Sequence, residues 1–245
     1  MSLERIFDGL QDSFSADDLY SRIVWPAATP YRPYVFINMA STADGKVVVG
    51  PADGPSRGVG GPTDQILYRR LQRCCDGALT GGTTLRASHV IYPAELPRFT
   101  VTRSGKLPLE NRFFTDAPDR VYVFVPESLD HLSVERIRTV AHVITAGSES
   151  VDLAQALNWM RVERGIENLL CEGGPDVNDQ LVRGGLVDEL FLTLAPKVKG
   201  GIGLPTIVGG KGFPPWQTVD LTLLSVYKDA DELYLRYRVG GIRTI

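Results

Sequence analysis

The chain has 245 residues, of which 43% are hydrophobic and 22% charged, and its formal net charge is −3. That balance fits a globular protein with ample core, as one large α/β domain or two small ones, and leaves no basic footprint for nucleic acid or an anionic membrane. The longest apolar runs are far too short to span a bilayer, and no charged segment leads into an apolar one at the start of the chain. The expectation is a cytoplasmic protein. Cys74, Cys75 and Cys171 make no disulfide framework, and His89, His131 and His142 are scattered without Cys-x-x-Cys or His-x-Glu spacing, so no metal site is expected.

In chain order, residues 1–33 read as an N-terminal arm ahead of a single domain over 34–245. Ser15 to Asp18 could cap a short helix holding Leu19, Tyr20 and Ile23, after which Pro26, Pro30 and Pro33 break regular structure. The run from Tyr34 to Ala40 has the composition of a buried strand. Ser41-Thr-Ala-Asp-Gly-Lys46 follows, with Asp44-Gly45 as a turn pair before the apolar Val47 to Val49. Taken alone this is a plain corner with a solvated lysine; facing a second polar turn, Asp44 and Lys46 could orient a polar substrate and move protons.

The glycine- and proline-rich stretch 50–62 is a loop whose Gly58-Val-Gly-Gly does not complete a dinucleotide fingerprint. Thr63 or Asp64 is then expected to cap a helix through Cys75 that buries Ile66, Leu67, Leu71 and Cys74. Gly77 to Thr80 is the next strand, ending in Gly81-Gly82-Thr83-Thr84, where close backbone approach and free N–H groups suit a phosphate. Ser88 to Pro97 reads as irregular, and strands are expected at Phe99–Thr102, Arg120–Val125 and Val143–Ala146. Helices are expected at Val134–Val140 and after an Asp152 cap.

The stretch Glu167 to Gly200 is the organising unit. A strand, Asn168 to Cys171, turns through Glu172-Gly-Gly-Pro175 into a helix with Val177, Leu181 and Val182 on one face, and then into a strand from Leu190 to Ala195. This is a βαβ unit, and Glu172 lies where open α/β sheets place ligands, at the carboxyl end of a strand. A tight turn with a solvated glutamate is the plainer alternative. Leu221–Tyr227 and Leu233–Val239 predict an antiparallel hairpin at the edge of an otherwise parallel sheet with helices on both faces.

Three of these motifs together resemble one family. Ser41-Thr-Ala-Asp-Gly-Lys46, Asp76-Gly-Ala-Leu-Thr-Gly-Gly-Thr-Thr-Leu-Arg86, and Leu170-Cys-Glu-Gly-Gly-Pro175 with Gly185-Leu-Val-Asp-Glu-Leu190 and Ala195-Pro-Lys-x-x-Gly200 are similar to the signatures of the reductase domain of riboflavin-biosynthesis deaminase–reductases and its stand-alone relatives. The resemblance spans about Tyr34 to Val239 and implies a dihydrofolate-reductase-like α/β fold: a mostly parallel central sheet, helices on both faces and a C-terminal antiparallel hairpin. It also implies a cytoplasmic, usually homodimeric enzyme that uses NADPH to reduce a phosphorylated pyrimidine ribosylamine to the ribityl form. By the same resemblance Lys46, Glu172 and Asp44 are the catalytic candidates. Cofactor contacts fall on Ala40, Gly81, Gly82, Thr84, Ser88, Gly173, Gly174, Pro175, Asp176, Val177 and Asn178, and Arg86 or Arg103 could take a 2′-phosphate.

The chain departs from the family pattern at three places. Ser88-His-Val replaces Asp-x-Pro, no tryptophan accompanies Ser56-Arg-Gly58, and Gln72 stands near the position of a phosphate-holding arginine. Two other readings stay open: a related NADPH reductase acting on a pterin, a folate or another carbonyl or imine, and a nucleotide-binding dimer without chemistry.

Overall fold

The computed structural model describes residues 3–10, 16–56, 58–88 and 90–244; Ser15, Arg57 and His89 lie outside the described residues. In chain order the elements are β1 (Glu4–Asp8), β2 (Tyr34–Thr42), α1 (Pro62–Arg73), β3 (Gly77–Gly81), α2 (Gly82–Ala87), β4 (Arg98–Val101), α3 (Arg112–Thr115), β5 (Val121–Val125), α4 (His131–Arg138), β6 (His142–Thr145), α5 (Leu153–Arg164), β7 (Asn168–Cys171), α6 (Pro175–Arg183), β8 (Glu189–Ala195), β9 (Gln217–Asp229) and β10 (Glu232–Thr244). All ten strands share one sheet in the order β1-β9-β10-β8-β2-β7-β3-β4-β5-β6. From β8 to β6 every pairing is parallel, whereas β10, β9 and β1 add on antiparallel. This is the expected architecture, with β7 slotted between β2 and β3.

Side-chain alternation divides the core in two. On one face Phe36, Ala78, Leu170 and Phe191 pack with Leu67 and Leu71 of α1. On the other, Val35, Ile37, Leu79, Leu169 and Cys171 pack with Leu153, Leu157 and Met160 of α5 and with Val177 and Leu181 of α6. Each large side chain fully buried here contributes about 1.5–3 kcal/mol relative to exposure. Cys171 belongs to this apolar core, while Cys74 and Cys75 are only partly buried at the end of α1.

Three local expectations are corrected. Neither Thr63 nor Asp64 caps α1: the helix starts two or three residues earlier, with Gly61 as N-cap and Pro62 in its first turn. The reason is tertiary. The Glu232 carboxylate accepts the Gly61 N–H at 2.9 Å, and the Thr63 hydroxyl donates to Asp229, so the β9–β10 turn does the capping. Ile66 is 39% exposed, because the buried stripe of α1 runs through Asp64, Leu67 and Leu71 instead. Where a helix is expected in the arm, the described residues form a 3-10 turn, Ala16–Asp18. Tyr20 then takes φ 60°, and its ring meets Phe191 edge-on at 4.9 Å. That left-handed backbone at Tyr20 cannot continue a right-handed helix, so the turn ends there and both Leu19 and Tyr20 drop into the core. The arm also supplies β1 at the sheet edge, and Trp25 stacks on Phe36 at 4.3 Å.

The α5 cap follows the sequence closely. The Asp152 carboxylate accepts the Ala154 and Gln155 N–H groups, and Gly165 closes the other end at φ 66°. Asp152→Ala should cost about 1 kcal/mol, lowering Tm by about 2–4 °C in a chain of this size, measured by thermal denaturation.

Candidate active site

The carboxyl ends of β2, β7 and β3 meet at the centre of the sheet, where the chain reverses its direction of growth. Such a reversal opens a crevice for ligands. Two glycine turns meet there. Gly81 N–H donates to the Gly173 carbonyl at 2.5 Å, and the Gly173–Gly174 peptide is cis. A Cβ on Gly81 would lie 3.0 Å from Val177 and 3.2 Å from the Gly174 nitrogen; one on Gly174 would lie 2.9 Å from the Thr84 hydroxyl. Only glycine lets the two turns approach this closely. No side chain caps the starts of α2 and α6, whose N-caps are Gly81 and Gly174. The cradle between the two turns thus has helix-start amides free of side-chain caps, a setting that suits an anion such as a phosphate.

The sequence-derived cofactor residues divide into three groups. Gly81, Gly82, Thr84, Gly173, Gly174 and Pro175 surround the cradle, and Asp176 is exposed in the first turn of α6. Val177 faces the core instead. Asn178 is fully buried: its amide donates to the Ile207 carbonyl at 2.8 Å and its Oδ1 faces the Cys171 sulfur at 3.6 Å, so its side chain holds the fold. Ala40 lies near the end of β2, opposite Thr193. Ser88 sits apart from the cradle at the far end of α2, where its carbonyl accepts from Asn111. The Arg86 guanidinium is engaged by Thr83 and the Lys106 carbonyl, while Arg103 is exposed past the end of β4.

Asp44 anchors a corner. It accepts from the Thr42 hydroxyl at 2.7 Å and from the Lys199 and Gly200 N–H groups at 2.9 and 2.7 Å. These bonds, led by that from Thr42, hold its carboxyl down at about pKa 2, so it is an ionised structural acceptor. Lys46 makes a one-residue bridge with Thr206, and Val47 N–H donates to the Pro205 carbonyl. The segment 196–213 thus runs from this corner to α6, where Gly209 N–H donates to the Pro175 carbonyl and Asp179 accepts from Lys211 and Gly212.

Glu172 points to the α1 face. Leu170, two residues earlier, packs there, and alternation carries Glu172 to the same side. Its Oε2 accepts two hydroxyls, from Tyr68 at 3.0 Å and from Tyr92 at 2.6 Å. Its Oε1 is out of contact with solvent and has no partner among the described residues. Burial pushes its pKa up to about 7, against the opposing pull of Tyr92, Tyr68 and Gln72. The carboxyl is therefore poised at neutral pH, as an acid catalyst requires.

Ile37, Cys171 and Leu79 are level in register, so Glu172 stands level with Asn38 and Thr80, and Thr80 pairs with Thr100. The hydroxyls of Thr80 and Thr100 are likewise buried without a partner, which makes this a polar row beneath α1. Thr42 lies four positions beyond Asn38, about 13 Å along the strand, and its N–H donates to the Lys46 carbonyl. The Lys46 corner and Glu172 are thus separated by a gap of about that length along the strand direction.

Tyr68 and Tyr92 did not emerge from the motifs, and Gln72 stood out only as a departure near the position of a phosphate-holding arginine. A signal for two of them was present: Asp64, Tyr68 and Gln72 are spaced i, i+4, i+8, a polar row beside the apolar Leu67 and Leu71. Tyr92 sits in an irregular stretch and carried no such mark.

Comparison with known proteins agrees with the fold. A family model described as the RibD C-terminal domain matches residues 33–235. The 2,5-diamino-6-ribosylamino-4(3H)-pyrimidinone 5′-phosphate reductase of Methanothermobacter thermautotrophicus is 33% identical over 226 residues, covering 86% of this chain and all of that one. The riboflavin biosynthesis protein RibD of Actinobacillus pleuropneumoniae is 28% identical over 218 residues, and the match takes in 85% of this chain but 57% of that protein. A pyrimidine reductase-like protein from Corynebacterium diphtheriae shares the fold at a TM-score of 0.72 and 20% identity, over 85% of this chain and 92% of that one.

Proposed function

Since the chain belongs to the RibD C-terminal domain family, a family of dihydrofolate-reductase-like reductases, we propose that it reduces a pyrimidine ribosylamino 5′-phosphate to the ribityl form in riboflavin biosynthesis, using NADPH. The observation that carries this reading is the Glu172 carboxyl, buried under α1 and level with the paired glycine turns. Those turns fit a dinucleotide: a side chain at Gly81 or Gly174 would fill the cradle, and the uncapped starts of α2 and α6 offer N–H groups to its phosphates. The cradle residues would hold NADPH there, and its chemistry would be to supply the hydride for the new C–H bond at C1′ of the opened sugar, leaving the nicotinamide oxidised.

The chain's own residues do the rest. Glu172 gives a proton to the heteroatom that receives the displaced electron pair, and the Lys46 ammonium steadies the negative charge developing across the gap. Asp44 acts one step removed, by fixing the corner that carries Lys46. The 196–213 segment shields this space from water by tying the corner to α6. The enzyme acts in the cytoplasm as a homodimer on this reading, which is supported by the exposed Leu221, Leu223 and Ile242 of the β9–β10 hairpin. No described helix is long and apolar enough to cross a membrane.

The test is NADPH oxidation by the purified protein, with the diaminopyrimidinone ribosylamine phosphate and dihydrofolate offered separately. Turnover of the first alone is the expected result. Turnover of dihydrofolate alone would overturn the substrate assignment and favour a relative acting on a folate.

A further inference from the structure

The two oxygens of Glu172 are not equivalent. Oε2 receives both tyrosine hydroxyls, Tyr68 from α1 at 3.0 Å and Tyr92 from the irregular segment before β4 at 2.6 Å. An oxygen already accepting two O–H donors has no lone pair left in a good direction for a proton of its own. Oε1 has no hydrogen-bond partner among the described residues and is level in the sheet with the Thr80 hydroxyl, which also lacks one among them. We infer that Tyr68 and Tyr92 are positioning residues of the reduction: they clamp Glu172 by Oε2, so that the transferable proton resides on Oε1 and meets the substrate from one fixed direction. This rests on the reductase reading above, and it adds to that reading which atom carries the proton and which two side chains decide it.

The surroundings fit this role. The groups facing Glu172 are Tyr68 and Gln72 from α1, Cys75 just past its end, Tyr92 from the segment before β4 and Thr80 from β3. None of these is a basic side chain that would strip the proton away. Both phenols are held far above their ordinary range, chiefly by burial and then by the Glu172 charge, so they stay donors throughout the working pH range. Tyr92 is itself fixed: its ring meets Phe113 edge-on at 6.0 Å, and the buried Arg98 guanidinium lies 5.8 Å from its centroid. Arg98 in turn donates to the Pro93 carbonyl at 3.0 Å, next to Tyr92 in the chain. Gln72 donates to the Ile91 carbonyl on the other side, so α1 and the tyrosine segment are bolted together. The atom balance is simple: the Oε1–H bond breaks, a heteroatom–H bond forms on the substrate, and the carboxylate left behind is stabilised by the same two hydroxyls.

The experiment compares wild type with Tyr92→Phe and Tyr68→Phe, each keeping the ring and removing one donor. Protonation of Glu172 is followed by infrared difference titration of the carboxyl band, with Glu172→Gln as the blank; steady-state kcat and KM are recorded against pH. Each hydroxyl favours the charged form, so its loss should raise the titration midpoint by about one unit, a tenfold change in acidity. The basic limb of the kcat profile should move with it, and kcat should drop about tenfold with KM within twofold, the signature of lost orientation. Midpoints unchanged in both variants would overturn the clamp. A shifted midpoint with unchanged kcat would overturn its part in the reaction. If the wild type turns over no pyrimidine substrate while the midpoints shift, the clamp stands and the reductase reading falls.

Discussion

Glu172→Gln is expected to lower kcat by roughly 10²–10⁴-fold while leaving NADPH affinity unchanged. The amide keeps an oxygen for the Tyr68 and Tyr92 hydroxyls, so the fold around it is preserved, but it cannot give up a proton in the reaction. The glycine turns that would hold the dinucleotide lie on the backbone next door and do not involve this carboxyl's oxygens. A kcat within threefold of wild type would remove Glu172 from the chemistry. The same substitution carries a pH signature. Burial raises the Glu172 pKa from an ordinary 4.5 to about 7. Between these values the native chain holds a proton that the unfolded chain has released, so stability falls as pH rises through this window. The glutamine variant lacks this slope. It should match wild type near pH 4 and exceed it at pH 8, as read from urea midpoints. Turnover of the wild type should fall in parallel as pH rises through 7, because the acid form is the one that donates.

The largest loss of stability is expected far from this chemistry, at Arg236. The guanidinium donates to both Glu189 oxygens, at 2.7 and 3.2 Å, and Tyr34 donates to the same carboxylate at 2.9 Å. Both charged side chains are nearly inaccessible, at 7% and 2%. The cation also lies 5.0 Å from the Phe191 ring and 5.7 Å from Trp25. Arg236→Met leaves Glu189 charged, buried and held by one hydroxyl, a state that costs about 3–5 kcal/mol. For a chain of this size that lowers Tm by roughly 6–20 °C. Adding Glu189→Leu should restore most of the loss, because the cost comes from the orphaned charge and not from the missing attraction. A double variant no more stable than the single one would refute that account.

How much of this could be read from residues alone depends on whether the cause was local. The βαβ unit around Glu172, the paired glycines and the Asp152 cap announce themselves because periodicity, glycine and a capping aspartate act within a few residues. The parallel sheet and its antiparallel edge follow from the same signals. What escaped notice was set by distant contacts. The start of α1 is displaced by a carboxylate that arrives from Glu232, at the opposite end of the chain. Ile66 fell on the wet side because the face that meets the sheet is the one carrying Asp64, Leu67 and Leu71, a choice made by the packing of α1 on the core. Asp44 looked catalytic by its motif, and only the Lys199 and Gly200 amides reveal it as a mooring. The tyrosine pair needed the sheet to bring a helix residue and a loop residue onto one oxygen.

The slot occupied by β7 bears on how the molecule is made. Synthesis delivers β2 and β3 early, yet neither can pair with the other, because the strand that belongs between them is still most of the domain away. Until residues 168–171 leave the ribosome, each presents an open row of backbone donors and acceptors to any passing strand, its own neighbours included. Filling that slot closes both edges at once and brings the two glycine turns together. The nascent chain is thus least protected until the moment its two glycine turns come together, and a chaperone holding the half-made sheet would be guarding the candidate site before it exists.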